Sequence, residues 1–162
     1  MVVVRASGHL FDHQIRYPAW EPGRDRLQYW LQELGVGGVI FVDGSAAEMA
    51  ARTKLLQSWA KVPLFLAADI EEGVGQRFAG ATWFPPPMAL GSIANHNLSL
   101  AEDYAEKMGA ITASEALAIG LNWVLGPVVD VNNNPDNPVI NVRSFGDNPE
   151  TVSNLATAFI RG

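Results

Sequence analysis

Residues 36–69 read VGGVIFVDGSAAEMAARTKLLQSWAKVPLFLAAD, and this stretch decides the fold. Its first seven residues, Val36 to Val42, form a continuous apolar run, which is typical of a strand in a parallel sheet that is covered on both faces. Ser45 and Glu48 then have the S-x-x-E spacing of a capping box, which predicts the start of a helix. A second apolar run follows at residues 63–68. The stretch therefore predicts a strand, a helix and a second, parallel strand.

The same alternation continues on both sides of this unit. A β-branched run at residues 2–5 and a helical pattern at 24–34 precede it. After it, Ser99 and Glu102 have the spacing of a second capping box and predict another helix. A strand at residues 122–131 follows.

A last helix is predicted from its own capping signals. Asn148 and Pro149 have the residue types of a helix cap and a first helical position. With this helix, four predicted strands alternate with four predicted helices along the chain.

This pattern predicts an α/β fold, because strands that alternate with helices form parallel sheets. Four strand–helix units are about half of an eight-stranded barrel. We therefore predict the N-terminal half of a TIM-type (β/α)8 barrel, with residues 1–162 forming part of one barrel domain. A half-barrel leaves strand edges unpaired, which predicts self-association or poor solubility. An unrelated doubly wound α/β fold is the alternative, although the chain has no cofactor fingerprint.

Composition excludes several classes of protein. The 162 residues are 48% apolar and 17% charged, with a net charge of −6, which is typical of a globular chain. The 11 basic residues are scattered, so we expect no nucleic-acid partner. No apolar run is long enough to cross a membrane, and the N-terminus lacks the apolar segment of a signal peptide. These features predict a cytoplasmic protein without a membrane partner.

We also expect no metal and no cofactor. The chain has no cysteine, which excludes disulfides and thiolate metal sites. His9, His13 and His96 are the only histidines, and their spacing is not that of a metal site. Neither a phosphate-binding loop nor a dinucleotide fingerprint is present.

Three predicted strands end in an aspartate, at Asp43, Asp69 and Asp130. The carboxyl ends of parallel strands meet at one edge, so these side chains are expected to share a polar pocket. Asp43 precedes Gly44, and both residue types favour turns, so turn formation alone explains an aspartate at this position. Asp69 opens a long loop that turn chemistry does not explain, so it is predicted to bind a ligand. Asp130 fits either a site residue or a brace for the following loop.

The loop from Asp69 to Arg77 reads DIEEGVGQR and is the densest polar stretch of the chain. A polyhydroxyl ligand needs both hydrogen-bond acceptors and donors, and an acid with an arginine on one loop supplies them. An ion pair that braces the loop is the alternative. Arg143 lies on the next long loop and either reaches the same pocket or lies on the surface.

Five ordered segments resemble the N-terminal barrel of glycoside hydrolase family three, closest to its single-domain β-N-acetylglucosaminidase branch. They are VGGVI at 36–40, PLFL at 63–66, DIEEGVGQRF at 69–78, GPVVDV at 126–131 and RSFG at 143–146.

The resemblance implies a retaining β-glycoside hydrolase that needs no cofactor. It implies that Asp69, Arg77 and Arg143 bind the non-reducing sugar of a carbohydrate substrate. Glu71 and Asp130 are predicted to support this set.

The chain also departs from the family pattern. Family members often read DQEGGRVQR where this chain has Ile70, Glu72, Val74 and Gly75, so it lacks the middle arginine and has an additional carboxylate. The family's KHFPGHG segment, its acid/base loop and its nucleophile strand do not occur in residues 1–162. The resemblance therefore assigns no catalytic residue to this stretch.

Two functions remain open at this point. The five segments favour part of a glycoside hydrolase that acts on a β-N-acetylglucosaminide or a β-glucoside, and only the branch resemblance favours the former sugar. The missing catalytic segments favour a non-catalytic half-barrel that binds sugar or associates with itself.

Overall fold

The computed structural model describes residues 1–162. In chain order its strands are β1 (Val3–Ala6), β2 (Gly38–Phe41), β3 (Gly44–Ser45), β4 (Phe65–Ala68), β5 (Phe78–Ala79) and β6 (Trp123–Val124). Its helices are α1 (Arg24–Gln32), α2 (Ala46–Trp59), α3 (Met88–Ala94), α4 (Leu98–Ala118) and α5 (Pro149–Arg161). None of these helices combines the length and the apolarity that are needed to cross a bilayer.

The main sheet has four strands in the order β1-β2-β4-β6, and every pair is parallel. This order confirms the predicted α/β class, because α1, α2 and α4 occur in the connections between neighbouring parallel strands. Strands β3 and β5 form a separate parallel pair, which the sequence analysis did not predict. This short pair joins the loop after β2 to the loop after β4.

Helices cover one face of the main sheet. The side chains of Val39, Phe41 and Leu66 are buried there, in a core that the helices complete with residues such as Leu27 and Leu56. The other face is open. Phe65 is 49% exposed and Trp123 is 38% exposed on that side, where their rings meet edge to face with centroids 5.8 Å apart. The expectation of strands covered on both faces therefore agrees with β2, whose four residues are buried or half-buried, but not with Phe65 of β4 or Trp123 of β6.

A second core lies between α4 and α5. Phe145, Leu155 and Phe159 are buried in it. Gly109 of α4 lies against the backbone of Phe159, and a Cβ at this glycine would overlap the carbonyl oxygen of that residue. The absent side chain lets the two helices approach closely.

The helix caps agree with the sequence at two positions and differ at one. Ser45 Oγ accepts a hydrogen bond from the Glu48 N–H, and Asn148 caps α5, as predicted. Helix α4 begins two residues earlier than expected, because Asn97 Oδ1 accepts from the Leu100 N–H at 3.1 Å. The capping box that was predicted at Ser99 is therefore wrong. An asparagine is as good a cap as a serine.

Two further differences concern the loops. The predicted loop at residues 71–98 contains α3, whose Gly91 lies against the backbone of Phe145. The predicted strand at 122–131 pairs only at Trp123 and Val124, and an irregular segment follows. Packing, which sequence periodicity does not report, determines both.

Candidate functional site

The loops after the parallel strands lie at one edge of the sheet. Asp43 follows β2 after one residue, and Asp69 follows β4 directly, so both aspartates lie where the sequence analysis predicted them. Asp130 differs, because β6 ends at Val124 and five residues lie between the strand and this aspartate. Asp130 is exposed, and its backbone carbonyl accepts a hydrogen bond from Ser144 Oγ at 2.6 Å.

The loop after β4 turns back on itself and brings Arg77 to Asp69. Gly73 permits this turn with a φ of 89°, a conformation that side chains rarely adopt, and a 3-10 turn over residues 74–76 follows. Arg77 Nη2 then donates to Asp69 Oδ2 at 2.5 Å, and its Nε donates to the Asp69 carbonyl oxygen at 3.1 Å. The other carboxylate oxygen, Asp69 Oδ1, is buried and accepts no hydrogen bond.

Glu71 and Arg143 form the second ion pair of this edge. Arg143 Nε donates to Glu71 Oε2 at 2.8 Å, and Nη2 donates to Oε1 at 2.6 Å. Glu71 is only 6% exposed. The hydrogen bonds to Glu71 raise the pKa of Arg143 above its usual value, although burial lowers it. The negative charges of Asp130 and Asp69 also raise this pKa.

The structure therefore places the five predicted residues at one edge but joins them in pairs. Asp69 with Arg77 and Glu71 with Arg143 are in direct contact, whereas the Asp130 side chain contributes through its charge. Both arginines are oriented by carboxylates, which fixes the direction of their remaining donors. Such an edge offers fixed donors together with an acceptor that lacks a donor, Asp69 Oδ1, and hydroxyl groups require both donors and acceptors.

The two carboxylates beside this set have structural partners. Glu72, which departs from the family pattern, accepts from Trp83 Nε1 at 2.7 Å. Glu115 of α4 accepts from the Thr82 N–H and hydroxyl at 2.9 and 2.6 Å. Both contacts tie the segment after β5 to its surroundings. The structure assigns both Trp83 and Glu115 to loop anchoring.

The loop after β1 also reaches this edge, which the sequence analysis missed. Arg5 donates from Nε and Nη2 to Glu21 Oε1 at 3.1 Å, and its guanidinium lies 5.1 Å from the centre of the Tyr17 ring. With Asp43, Gln76 and Arg77, this loop lines a cleft of about 600 Å³. Two features of the sequence could have predicted this cleft: the charged Arg5 inside a β-branched run, and the aromatic residues of the loop that follows.

His9 and His13 each contact another side chain. His9 Nδ1 lies 2.8 Å from Glu48 Oε2, and the ring of His13 stacks on Phe11. Glu48 also accepts hydrogen bonds from Gln14 and from the Ser45 hydroxyl. The bond to His9 is the largest of several that lower the pKa of Glu48 to about 2. No three His, Cys, Asp or Glu side chains in residues 1–162 come together as metal ligands.

Comparison with known proteins identifies the family. Residues 13–162 match the family described as the glycosyl hydrolase family 3 N terminal domain. The chain belongs to glycosyl hydrolase family 3. Among curated relatives, a β-N-acetylglucosaminidase/β-glucosidase of Cellulomonas fimi is 35% identical over 134 residues, which are 83% of this chain and 23% of that protein.

Solved structures of similar proteins have the same fold. NagZ from Neisseria gonorrhoeae, in complex with N-trifluoroacetyl-D-glucosamine, matches with a TM-score of 0.80 and 28% identity over 99% of this chain and 46% of that chain. A β-glucoside phosphorylase, BglX, bound to 2FGlc, matches with a TM-score of 0.77 and 31% identity over 98% of this chain and 26% of that one. The chain thus has the predicted barrel-type fold as a partial domain, and it spans less than half the length of these relatives.

Proposed function

We propose that this chain forms the sugar-binding part of a retaining β-glycoside hydrolase of the β-N-acetylglucosaminidase or β-glucosidase type. The observation that carries the proposal is the state of Asp69. One oxygen of this carboxylate is held by Arg77, while the other is buried and has no donor. A buried acceptor without a donor is costly in a folded protein, and a bound hydroxyl group would satisfy it.

Arg77 complements this acceptor. It uses Nε and Nη2 on Asp69, which leaves Nη1 without a protein partner and with a fixed direction. A charged donor beside a charged acceptor can bind two neighbouring hydroxyls of one sugar ring, because each hydroxyl both donates and accepts. Arg143, held by Glu71, supplies the third predicted contact.

In this proposal, residues 1–162 bind the sugar, and other groups cleave the glycosidic bond. We assign no nucleophile and no proton donor to these residues. In a retaining mechanism those two groups flank the glycosidic bond, while the binding residues hold the sugar in position for attack. The names of the relatives favour N-acetylglucosamine and glucose as the sugars.

The test uses the natural gene product that carries this chain, with the variant Asp69→Ala and the control Asp103→Ala, which removes an exposed carboxylate on α4. Aryl N-acetyl-β-glucosaminide and aryl β-glucoside serve as substrates, with and without inorganic phosphate, which separates hydrolysis from phosphorolysis. Asp69→Ala is expected to lower kcat/KM about 100-fold, the effect of leaving a site group unpaired. Unchanged kinetics would contradict the site.

The second candidate is the non-catalytic half-barrel that binds sugar or associates with itself. The open face of the main sheet favours it, because Phe65 and Trp123 are large apolar side chains that lie on a surface without helices. Exposed apolar patches of this kind mark association surfaces. Sugar binding without any turnover, together with a dimeric mass, would favour this candidate over the hydrolase.

A further inference from the structure

The cleft beside Arg77 has a feature that turn formation does not explain. Both carboxylate oxygens of Asp43 are buried, and neither accepts a hydrogen bond. The backbone carbonyl of Asp43 does have a partner, because it accepts from the Gly8 N–H at 3.0 Å. The turn after β2 therefore uses the backbone of this residue and leaves its carboxylate unused.

The short β3–β5 pair fixes the position of this carboxylate relative to the sugar site. Gly44 pairs with Phe78 in a parallel register, so the preceding residues, Asp43 and Arg77, lie side by side. Arg77 in turn holds Asp69. A group attached to a sugar at Asp69 and Arg77 can therefore reach Asp43 within the same cleft.

The neighbouring cation does not satisfy Asp43. Arg16 Nε lies 3.6 Å from Asp43 Oδ2, which is beyond a hydrogen bond, and the Arg16 side chain is 68% exposed. The Arg16 side chain makes no hydrogen bond in residues 1–162. It is therefore free to move away from Asp43 when a ligand donor takes its place.

The charges of the cleft favour a neutral ligand. Its three arginines each lie beside a carboxylate, since Arg5 pairs with Glu21, Arg77 with Asp69 and Arg16 with Asp43. An anionic ligand would find no uncompensated cation, and a cationic ligand would meet three guanidinium groups. A neutral polyhydroxyl group can donate to Asp43 and accept from Arg16 or Gln76.

The walls and size of the cleft fit such a ligand. Tyr17 and Trp20 line it with exposed rings, and Trp20 is 72% exposed. Flat aromatic faces pack against the C–H face of a sugar ring while its hydroxyls reach polar neighbours. The volume of about 600 Å³ lies within the range of small-molecule sites.

We propose that this cleft is a second sugar subsite, in which Asp43 accepts hydrogen bonds from the sugar unit linked to the one at Asp69 and Arg77. The proposal rests on the proposed function, because it takes the first sugar to lie at Asp69. It assigns Asp43 to substrate binding and Trp20 to stacking against the second ring.

The experiment measures binding by isothermal titration calorimetry with the natural gene product. The ligands are N-acetylglucosamine and its β-linked thiodisaccharide, in which sulfur replaces the glycosidic oxygen so that the enzyme does not cleave it. The wild type is expected to bind the thiodisaccharide about tenfold more tightly than the monosaccharide, the effect of one good hydrogen bond to a charged group. Asp43→Asn and Trp20→Ala should each reduce this gain to less than about twofold. Tyr29→Ala, which removes an exposed ring of α1 outside the cleft, should keep it.

The outcomes separate this proposal from the proposed function. Equal affinity for the two ligands overturns the second subsite while the site at Asp69 stands. A gain that survives Asp43→Asn also overturns it. Binding of neither ligand overturns both proposals, and a gain without turnover of the aryl glycosides overturns only hydrolysis. The melting temperature is the second readout, because Asp43→Asn should not lower it if the carboxylate serves a ligand, whereas a structural ion pair with Arg16 would.

Discussion

The guanidinium of Arg143 holds both carboxylate oxygens of Glu71, a residue 72 positions earlier in the chain, at 2.8 and 2.6 Å. The pair links the loop after β4 to the loop after β6. Planar two-point contacts of this kind set the orientation of both groups, which point charges do not. The ion pair therefore fixes the relative position of the two loops that carry the predicted sugar-binding residues Asp69 and Arg143.

Removing this link should destabilise the chain. Arg143→Ala leaves the buried Glu71 carboxylate without its partner, and breaking a fully buried pair costs about 3–5 kcal/mol. The Arg143 side chain is 40% exposed, so solvent screening reduces the expected loss to about 1–2 kcal/mol. Urea unfolding measures it. The control is Arg161→Ala, which breaks an exposed pair with Glu106 and should cost less than about 0.5 kcal/mol. Equal losses for the two variants would show that the Glu71 pair has no special role.

The network around Glu48 should make stability depend on acidity. Its pKa is lowered to about 2 in the folded chain, so the charged form favours folding. That contribution is complete above the unfolded pKa of about 4.3 and decreases as the pH falls toward 2. Between pH 5 and pH 2.5, the melting temperature of the wild type should fall more steeply than that of Glu48→Gln, which cannot titrate. Parallel curves would mean that Glu48 titrates alike in both states.

The contact between α4 and α5 should tolerate no side chain at Gly109. In Gly109→Ala the new methyl group would overlap the Phe159 carbonyl, so the helices must separate, and we expect a loss of about 2 kcal/mol or more. Ser114→Ala is the control on the exposed side of α4 and should change stability by less than about 0.5 kcal/mol. Thermal unfolding compares the two. A stabilised Gly109→Ala variant, as helix propensity alone predicts, would contradict the close packing.

The open face of the sheet should cause self-association of the 162-residue chain. Phe65 and Trp123 expose apolar area there, and its burial against a second copy is favourable. Light scattering over a range of concentrations should therefore show a mass above that of the monomer. Phe65→Ser should shift the mass toward the monomer, while Leu117→Ser, at an exposed leucine of α4, should not. A monomer at every concentration for the unmodified chain would contradict this prediction.

Much of the fold follows from local sequence. The apolar runs at β2 and β4, the cap at Ser45 and the cap at Asn148 each depend on neighbouring residues, and the structure confirms them. Local patterns also located Asp69 and Arg77 on one loop. Two predicted boundaries were wrong. At Ser99 two local capping signals compete, and within residues 122–131 the extent of the strand depends on a pairing partner that is distant in the sequence.

The sequence by itself determined the parallel α/β class, the strand–helix order and the family, because each depends on periodicity or on motifs a few residues long. Only the tertiary structure decided which charges meet: Glu71 with Arg143, Arg5 with Glu21, and Asp43 beside Arg77 through the β3–β5 pair. The physical reason is that these contacts join loops many residues apart. Their geometry is set by the register of the sheet and the packing of the helices. Both depend on several distant segments together, so no single stretch of sequence predicts them.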